Sequence, residues 1–500
     1  MKRLRGYERG QVLALAAISM VVLMGFLALA VDVGMLWTER RQMQTAADAA
    51  AVAAAVALRD GDDVQTAGQG AASLNSFTNG QNSVTVTVNN PPLSGSYAGN
   101  SSYVEAIVNE PESTYFLRAL GYTSVSVTTR AVGGTVNGPA CMYALDSTKS
   151  AAIGVTGNFS INASCGVIDD SSSSSAFTAT GNGTFDATSF GIVGGTADSG
   201  NISINPTPIT KIAPAADPLA STAEPTVSSC TQASTNKSGQ YSITGNNPVV
   251  DVAAGVYPSG ISITGNNPTV TFSGGTYGNN IVVDGNSGNV TFNPGQYQNT
   301  GTSDSIDIEG NAGTTFSSGS YTFCGRVSIT GNNVVTLSPG LYSGGISITG
   351  NANVTFLPGT YILAGGGLTV TGNSTLSGTG VTFYDTTGPA GYKPIDLTGN
   401  ETANLSAPTS GATEGMLFFQ DRSISSGSGS SIIGNSSSTF DGVLYFPTTS
   451  LTYDGNSSSS GYTYFIADTI TFTGNTDMTI GNNTSSLADG APIKSSALYE

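Results

Sequence analysis

The sequence predicts a mainly β fold: a parallel, right-handed β-helix or solenoid, preceded by an N-terminal transmembrane α-helix and a small α+β adaptor. One observation is a Gly-Asn pair that recurs mostly every 19 to 22 residues, with its glycine at Gly245, Gly265, Gly285, Gly310, Gly331, Gly350, Gly372, Gly399, Gly434, Gly455 and Gly474. The other is a Gly-x-Tyr marker that begins nine or ten residues after the pair, with its tyrosine at Tyr257, Tyr277, Tyr297, Tyr321, Tyr342 and Tyr361. Short strands punctuated by glycine cannot form a helix bundle, and repeated units favour stacking.

Each repeat carries two short alternating strands between its markers, such as those around Ile261 and Val270. Stacking would bury their Ile, Val and Phe side chains against equivalent residues ~4.8 Å above and below. The asparagine amides would then form a structural hydrogen-bonded ladder through Asn246, Asn266, Asn286, Asn311, Asn332 and Asn351. The tyrosines would either pack at a corner of the coil or form an exposed column that stacks on sugar rings.

Composition excludes several functions. The 500 residues include 16 basic and 33 acidic side chains, for a net charge of −17, and no histidine. Such a surface repels nucleic acid, so no nucleic-acid partner is expected. Without histidine, Ser-His-Asp hydrolases and zinc enzymes are not expected either. We therefore expect no cofactor, and any catalysis would have to use carboxylates.

The N-terminal region contains an apolar run over residues 12–31, long enough at ~1.5 Å per residue to cross a bilayer of ~30 Å. Basic residues are denser before the run than after it, which predicts a single-pass protein of the bacterial inner membrane with a cytoplasmic N-terminus and a periplasmic or extracellular body. Trp37 would be the interfacial membrane anchor. A cleaved signal peptide is the alternative, because Ala28, Leu29 and Ala30 have the form of a cleavage site.

The stretch "RGQVLALAAISMVVLMGFLALAVDVGMLWTERRQMQTAADAAAVAAAVAL" resembles the N-terminal segment of the TadE/TadG-like pilus-assembly family. That resemblance implies a membrane anchor associated with Flp-type pilus assembly. Leu15 stands where a processed prepilin has glutamate, five residues after Gly10, so prepilin processing is not expected. Many such proteins carry a von Willebrand factor A domain, whose Asp-x-Ser-x-Ser motif Asp146, Thr148 and Ser150 match only loosely.

The body also resembles TadG-like proteins that carry a glycine-rich β-helix in place of that domain, over about residues 141 to 475. The resemblance lies in "CMYALDSTKS", "CGVIDDSSSSSA", "NLSAPTSGATEGMLFFQDRS", "STFDGVLYFP" and "ADTITFTGN". It implies the architecture and not an activity.

The chain divides into six predicted regions. They are a basic tip, transmembrane helix and Ala-rich stalk (1–58), the α+β adaptor (59–137), a first part of the β-helix (138–220), a Pro/Ser/Thr-rich connector (221–238), regular coils (239–483) and a flexible tail (484–500). In the adaptor, alternation predicts strands at 83–90, 103–109 and 124–132, with a helix at 113–121.

Four cysteines follow the membrane segment, which fits an oxidising compartment. Three pairings are possible. We favour Cys141 with Cys165, which are close in sequence, and Cys230 with Cys324 by elimination.

One carboxylate group could form an acidic or weak metal site. Asp307 and Glu309 alternate onto the outer face of one coil, and Asp284 occupies the position equivalent to Glu309 in the preceding coil, ~4.8 Å away. Such a pair could act in acid/base catalysis or bind calcium. It could also be a solvated ion-pair face, with Arg326 beside Asp307.

These observations predict a membrane-anchored, extracytoplasmic structural or adhesive protein associated with Flp-type pilus assembly, and not an enzyme. Its expected partners are the bilayer, through residues 12–31, and pilus machinery or surface glycans. The alternatives are a polysaccharide-active β-helix enzyme and a non-catalytic carbohydrate-binding surface protein.

Overall fold

The computed structural model describes residues 8–60, 62–137, 140–230, 241–299, 303–389, 391–424, 427–457 and 461–498. Within these ranges the chain forms two compact units. The small unit holds the residues up to 137 together with those from 494 onward, and the solenoid unit holds 140–493. Most of the predicted basic tip lies outside the described residues.

The small unit combines helices with an antiparallel sheet. Its elements are α1 (Glu8–Asp60), α2 (Val64–Leu74), β1 (Thr85–Asn89), β2 (Tyr103–Ser113), a 3₁₀ helix (Leu117–Leu120), β3 (Ser124–Asn137) and a C-terminal strand (Lys494–Leu498). The sheet order is β1, β2, β3 and the C-terminal strand. The tail predicted to be flexible therefore includes a strand, because β3 offers it a free edge from Gly133 to Asn137.

The alanine-rich half of α1 belongs to the core of this unit and is not a free stalk. Its buried side chains pack with those of the sheet, and they include Met43, Ala46, Ala47, Ala50, Ala51 and Ala54. Alanine allows the helix to approach the strands closely, so that a Cβ atom on Gly133 would lie 2.3 Å from the carbonyl oxygen of Ala51. The small residues on both elements are thus required by their separation.

The solenoid unit stacks parallel, in-register strands on three faces of each coil, which confirms the predicted β-solenoid. The first face contains Tyr241–Ile243, Ile261–Ile263, Ile281–Val283, Asp304–Ile308, Arg326–Gly331, Ile346–Gly350, Leu368–Gly372 and Ile395–Leu397. The second contains Val249–Val252, Thr269–Phe272, Asn289–Phe292, Gly313–Phe316, Val334–Leu337, Asn353–Phe356, Thr375–Thr379 and Thr402–Ser406. The third contains Gly255–Val256, Gly275–Gly278, Gly295–Gln298, Tyr321–Phe323, Gly340–Tyr342, Gly359–Ala364, Val381–Thr386 and Met416–Gln420.

The Gly-x-Tyr marker lies in or directly beside the third strand of the coil, where the sequence predicted only two strands. All six marker tyrosines are buried, so the exposed-column hypothesis is wrong for them. Each hydroxyl donates to the backbone carbonyl four residues earlier, as Tyr297 does to Asn293 at 2.7 Å. Tyrosine is therefore used here as a core aromatic whose polar end is satisfied.

The order of the coils in space differs from their order in the chain. The last coils consist of Ser430–Ser457, Thr463–Thr473 and Asn475–Ile480, and the first part of the body stacks on them. That first part consists of Ala140–Ala144, Ile153–Ala163, Gly166–Asp169, Phe177–Asp186, Ser189–Ile192, Thr196–Asn205 and Ile209–Thr210. It extends the C-terminal end of the stack and does not precede the regular coils.

Residues 211–230, here called the return segment, run from that end back along the stack. Its backbone N–H at Ala215 donates to Asp170 (2.8 Å), and Asp217 accepts from the hydroxyl of Tyr445 (2.6 Å). The contacts continue at earlier coils, through an ion pair between Glu224 and Arg422 (3.2 Å) and a disulfide between Cys230 and Cys324. The predicted connector is thus the end of a longer segment attached to the solenoid, and residues 231–238 of it lie outside the described residues.

The structure joins the cysteines in the two pairs favoured from the sequence. Both Cys141–Cys165 and Cys230–Cys324 have Cα atoms 5.7 Å apart, which is an ordinary disulfide separation. The first pair lies in the first part of the body and the second attaches the return segment to the regular coils.

Candidate functional site

The stacking register places the predicted acidic residues on neighbouring coils. Asp307 pairs with Val282, and the N–H of Glu309 donates to the carbonyl of Val283, so Glu309 stands opposite Asp284. Asp284 and Glu309 are exposed and Asp307 is half-buried. The predicted adjacency is present, on the outer face of the first strand.

Arg326 has a different partner from the one expected. An irregularity between Asp304 and Ile306 brings Asp304 opposite Arg326, whose Nε and Nη2 atoms donate to the Asp304 carboxylate at 2.5 and 3.1 Å. One oxygen of Asp307 is buried without a hydrogen-bond donor. Burial, followed by the negative charges of Glu309 and Asp304, raises the pKa of Asp307 to about 6.

The carboxylate oxygens of Asp284, Asp307 and Glu309 do not all lie within 4.8 Å of one another, as the ligands of one metal ion would. Among the described residues, the group of three carboxylates that comes within 4.8 Å is Glu39, Glu110 and Glu112, in the small unit. These side chains are partly exposed, and burial together with the charge of Glu39 raises the pKa of Glu110 and Glu112. Mutual repulsion accounts for the raised pKa values, and acidic groups on a surface commonly lie together without an ion.

The Asp146-x-Thr-x-Ser stretch forms a turn. The carboxylate of Asp146 accepts from the backbone N–H groups of Thr148 and Lys149, both at 2.8 Å. This is the local bonding that aspartate provides at turns, and it accounts for the resemblance to a metal motif.

Several steps of the predicted asparagine ladder are present as amide contacts between coils. Asn266 donates to Asn246 at 3.0 Å and Asn351 donates to Asn332 at 2.9 Å, while Asn311 and Asn286 are 3.5 Å apart. The ladder has further members that the sequence analysis missed, since Asn158 donates to Asn475 at 3.1 Å and Asn182 approaches Asn158 at 3.4 Å. The sequence contains Gly-Asn pairs at Gly157-Asn158 and Gly181-Asn182, and these pairs could have predicted the additional members.

Asp32 is another residue whose role sequence reasoning missed. It directly follows the apolar run, and its carboxylate is buried. The backbone N–H groups of Tyr115, Phe116 and Leu117 donate to it at 3.1, 2.8 and 2.6 Å. These three donors satisfy the buried charge and attach the β2–β3 connection to α1.

The apolar half of α1 has no protein partner among the described residues. From Leu13 to Val31 the side chains are exposed, apart from the half-buried Ala28. Among the described residues, α1 is the one helix that is long and apolar enough to cross a membrane. Trp37, the predicted interfacial anchor, lies on the same helix and is exposed.

Comparison with known proteins finds a family match in this region. Residues 10–57 match the family model described as putative Flp pilus-assembly TadE/G-like. The match confirms the predicted resemblance of the N-terminal segment and supports an association with pilus assembly. It ends before the solenoid, so the predicted family resemblance of the body stays a prediction. No curated protein and no solved structure matches the chain.

Proposed function

We propose that this chain is a membrane-anchored structural protein of Flp-type pilus assembly whose solenoid lies outside the cytoplasm. The observation that carries the proposal is the match of residues 10–57 to a pilus-assembly family on an exposed apolar helix. A single helix of this kind fits a membrane-anchored protein.

The orientation is supported by charge and by redox chemistry. Basic side chains are concentrated ahead of the apolar run, and Arg40 and Arg41 follow it. Both described disulfides lie in the solenoid unit, and disulfides persist in oxidising compartments. The two arguments are independent and favour the same side of the membrane for the body.

A structural role suits the body better than the alternatives do. The tyrosines that could have stacked on sugars are buried in the core. The outer-face carboxylates are accompanied by an arginine that is already paired with Asp304. The regular stack of strands supplies a rigid surface, and an adhesive or scaffolding function would use that surface.

Deletion of the gene tests the association with pili. In the native bacterium, loss of the chain should abolish or strongly reduce surface pili counted by electron microscopy, and the full-length chain should restore them. Normal pilus numbers in the deletion strain would contradict the proposal.

Protease treatment tests the topology. Protease added to spheroplasts should digest the solenoid unit while a cytoplasmic marker remains intact, and the N-terminal fragment should sediment with membranes. If the solenoid unit is digested only after lysis, it lies in the cytoplasm, and the proposed orientation is wrong.

A further inference from the structure

The connection between β2 and β3, residues 114–123, is here called the hairpin tip. Its large side chains face solvent: Tyr115, Phe116, Leu120 and Tyr122 are 66%, 49%, 73% and 64% exposed. The 3₁₀ helix within it buries no residue. A cluster of four such side chains on one short connection is an unusual solvent-facing surface.

The contact with Asp32 determines the position of the tip along α1. Asp32 is the first residue after the apolar run, and it binds the backbone of Tyr115, Phe116 and Leu117 directly. If residues 12–31 fill the hydrocarbon layer, the tip lies at the depth where that layer ends. Trp37 is about five residues further along the helix, or ~7.5 Å, which is still within the headgroup region.

The composition of the tip suits that depth. Tyrosine and tryptophan concentrate at membrane interfaces, because their rings are apolar and their polar atoms can reach water. The tip has one charged residue, the exposed Arg118, and no carboxylate. An arginine beside lipid phosphates is electrostatically favourable. Along α1, the first charged side chain after Asp32 is Glu39, about seven residues or ~10 Å further on.

We propose that the hairpin tip is a second membrane contact, in which Tyr115, Phe116, Leu120 and Tyr122 insert into the headgroup region of the leaflet that α1 leaves. This inference rests on the proposed membrane anchoring. The hairpin tip contacts lipid, because its exposed apolar side chains lie beside the end of the apolar run of α1, where that helix leaves the hydrocarbon layer. Together, tip and helix give the small unit two attachments to the bilayer, which restrict its rotation about the helix axis.

Fluorescence quenching of the full-length chain tests this contact. The four native cysteines are all in disulfides, so Leu120→Cys supplies one reactive thiol for an environment-sensitive fluorophore. The labelled chain is reconstituted into vesicles of phosphatidylcholine and phosphatidylglycerol that contain nitroxide-labelled lipid. Tyr122→Cys provides a second labelling site on the tip.

Leu74→Cys is the matched control. Leu74 is a leucine of the same unit, 90% exposed, at the end of α2. Gly68 of that helix packs beside Ala50, which is about 18 residues or ~27 Å beyond Asp32 along α1. Leu74 is six residues or ~9 Å from Gly68 along α2, so it lies at least ~18 Å beyond the level of Asp32. We expect quenching at Leu120 and Tyr122 to exceed quenching at Leu74 by about threefold or more, as interfacial insertion requires.

The outcomes separate this inference from the proposed anchoring. Trp37 is the single tryptophan of the chain, so its own quenching reports membrane insertion of α1. Quenched Trp37 with unquenched tip labels would overturn the second contact and leave the anchor intact. If the chain does not float with vesicles and Trp37 is unquenched, both proposals fail.

The role of Asp32 is tested by Asp32→Ala. Removing the carboxylate leaves three backbone donors of the tip without their acceptor, so hydrogen exchange at residues 115–117 should accelerate, and the Leu120 label should lose its enhanced quenching. Asp63→Ala is the control, because Asp63 accepts from two N–H groups at the start of α2 and should affect only those. Unchanged exchange at 115–117 would show that Asp32 does not position the tip.

Discussion

Glu105 in the small unit and Asp307 in the solenoid are both carboxylates on β-strands, and the protein gives them different surroundings. Glu105 is fully buried and receives donors from Arg130 (2.5 Å), Ser94 (2.7 Å), Asn89 (2.9 Å) and the backbone of Leu93 (3.2 Å). Asp307 is only half-buried, yet one of its oxygens is buried without a donor.

The two pKa values follow from this difference. Burial alone would raise the pKa of Glu105, but Arg130 and the other donors outweigh it and lower the pKa to about 2. At Asp307, burial and neighbouring carboxylates act in the same direction and raise the pKa to about 6. The small unit is built from specific, non-repeated contacts. In the solenoid, the stacking register decides which side chains are neighbours, whether or not their charges match.

The largest expected effect would break the repeating core. Tyr297 stacks on Tyr277 with ring centroids 5.2 Å apart and lies 5.6 Å from Phe323. Tyr297→Ala should reduce the free energy of unfolding of the solenoid by about 3–5 kcal/mol, because it opens a cavity in a column of aromatic rings. Chemical denaturation, with hydrogen exchange to localise the loss, measures this.

Tyr297→Phe is the control for that change. It keeps the ring and removes the hydroxyl that donates to Asn293, so the loss should be about 1 kcal/mol. Equal losses in both variants would mean that the hydroxyl, and not the ring column, stabilises the coil.

The second effect tests the specific contacts of the small unit. Glu105→Gln leaves Arg130 without its ion pair and should cost about 2–3 kcal/mol at pH 7. Because the folded pKa of Glu105 is lowered, its stabilisation is present above the unfolded pKa and is lost as pH falls from about 4.5 towards 2. Exchange rates in β1–β3 should therefore differ between wild type and variant at pH 7 and converge in acid. A difference that persists at pH 2 would show that shape, not charge, is responsible.

The smallest effect has the opposite pH dependence. Since the folded pKa of Asp307 is raised, the folded state binds a proton more readily, and stability falls as pH rises from about 4 to about 6. Asp307→Asn should therefore raise the melting temperature of the solenoid by about 1–2 °C at pH 7.5 and leave it unchanged at pH 4. A loss of stability at pH 7.5 would indicate that the negative charge of Asp307 has a partner, such as a cation.

The sequence predicted the elements that follow from local pattern. The Gly-Asn pairs predicted the coils and several of the amide contacts between them. Alternation predicted β1, β2 and β3, although β2 and β3 extend four and five residues beyond their predicted ends. The third strand was missed because a segment such as Gly255–Val256 is too short to show alternation.

Contacts between distant segments could not be predicted in the same way. Every coil presents similar strand edges and the same Gly-Asn pair, so nothing local specifies that Asn475 neighbours Asn158. Asp32 and the tip are separated by more than 80 residues, and a carboxylate after an apolar run has many possible partners. The partner of Arg326 depended on an irregularity at Ser305 that shifts the register by one residue.

The inverted order of the coils has a consequence for biosynthesis. A chain made from its N-terminus releases residues 140–205 long before Thr463–Thr473 and Asn475–Ile480, the strands on which they stack. Until the last coil has emerged, the strands Ala140–Ala144 and Ile153–Ala163 keep an unpaired edge, and such edges invite aggregation. Pairing of that edge therefore waits for translation of the final coil, and a chain truncated before Thr463 would keep the edge open.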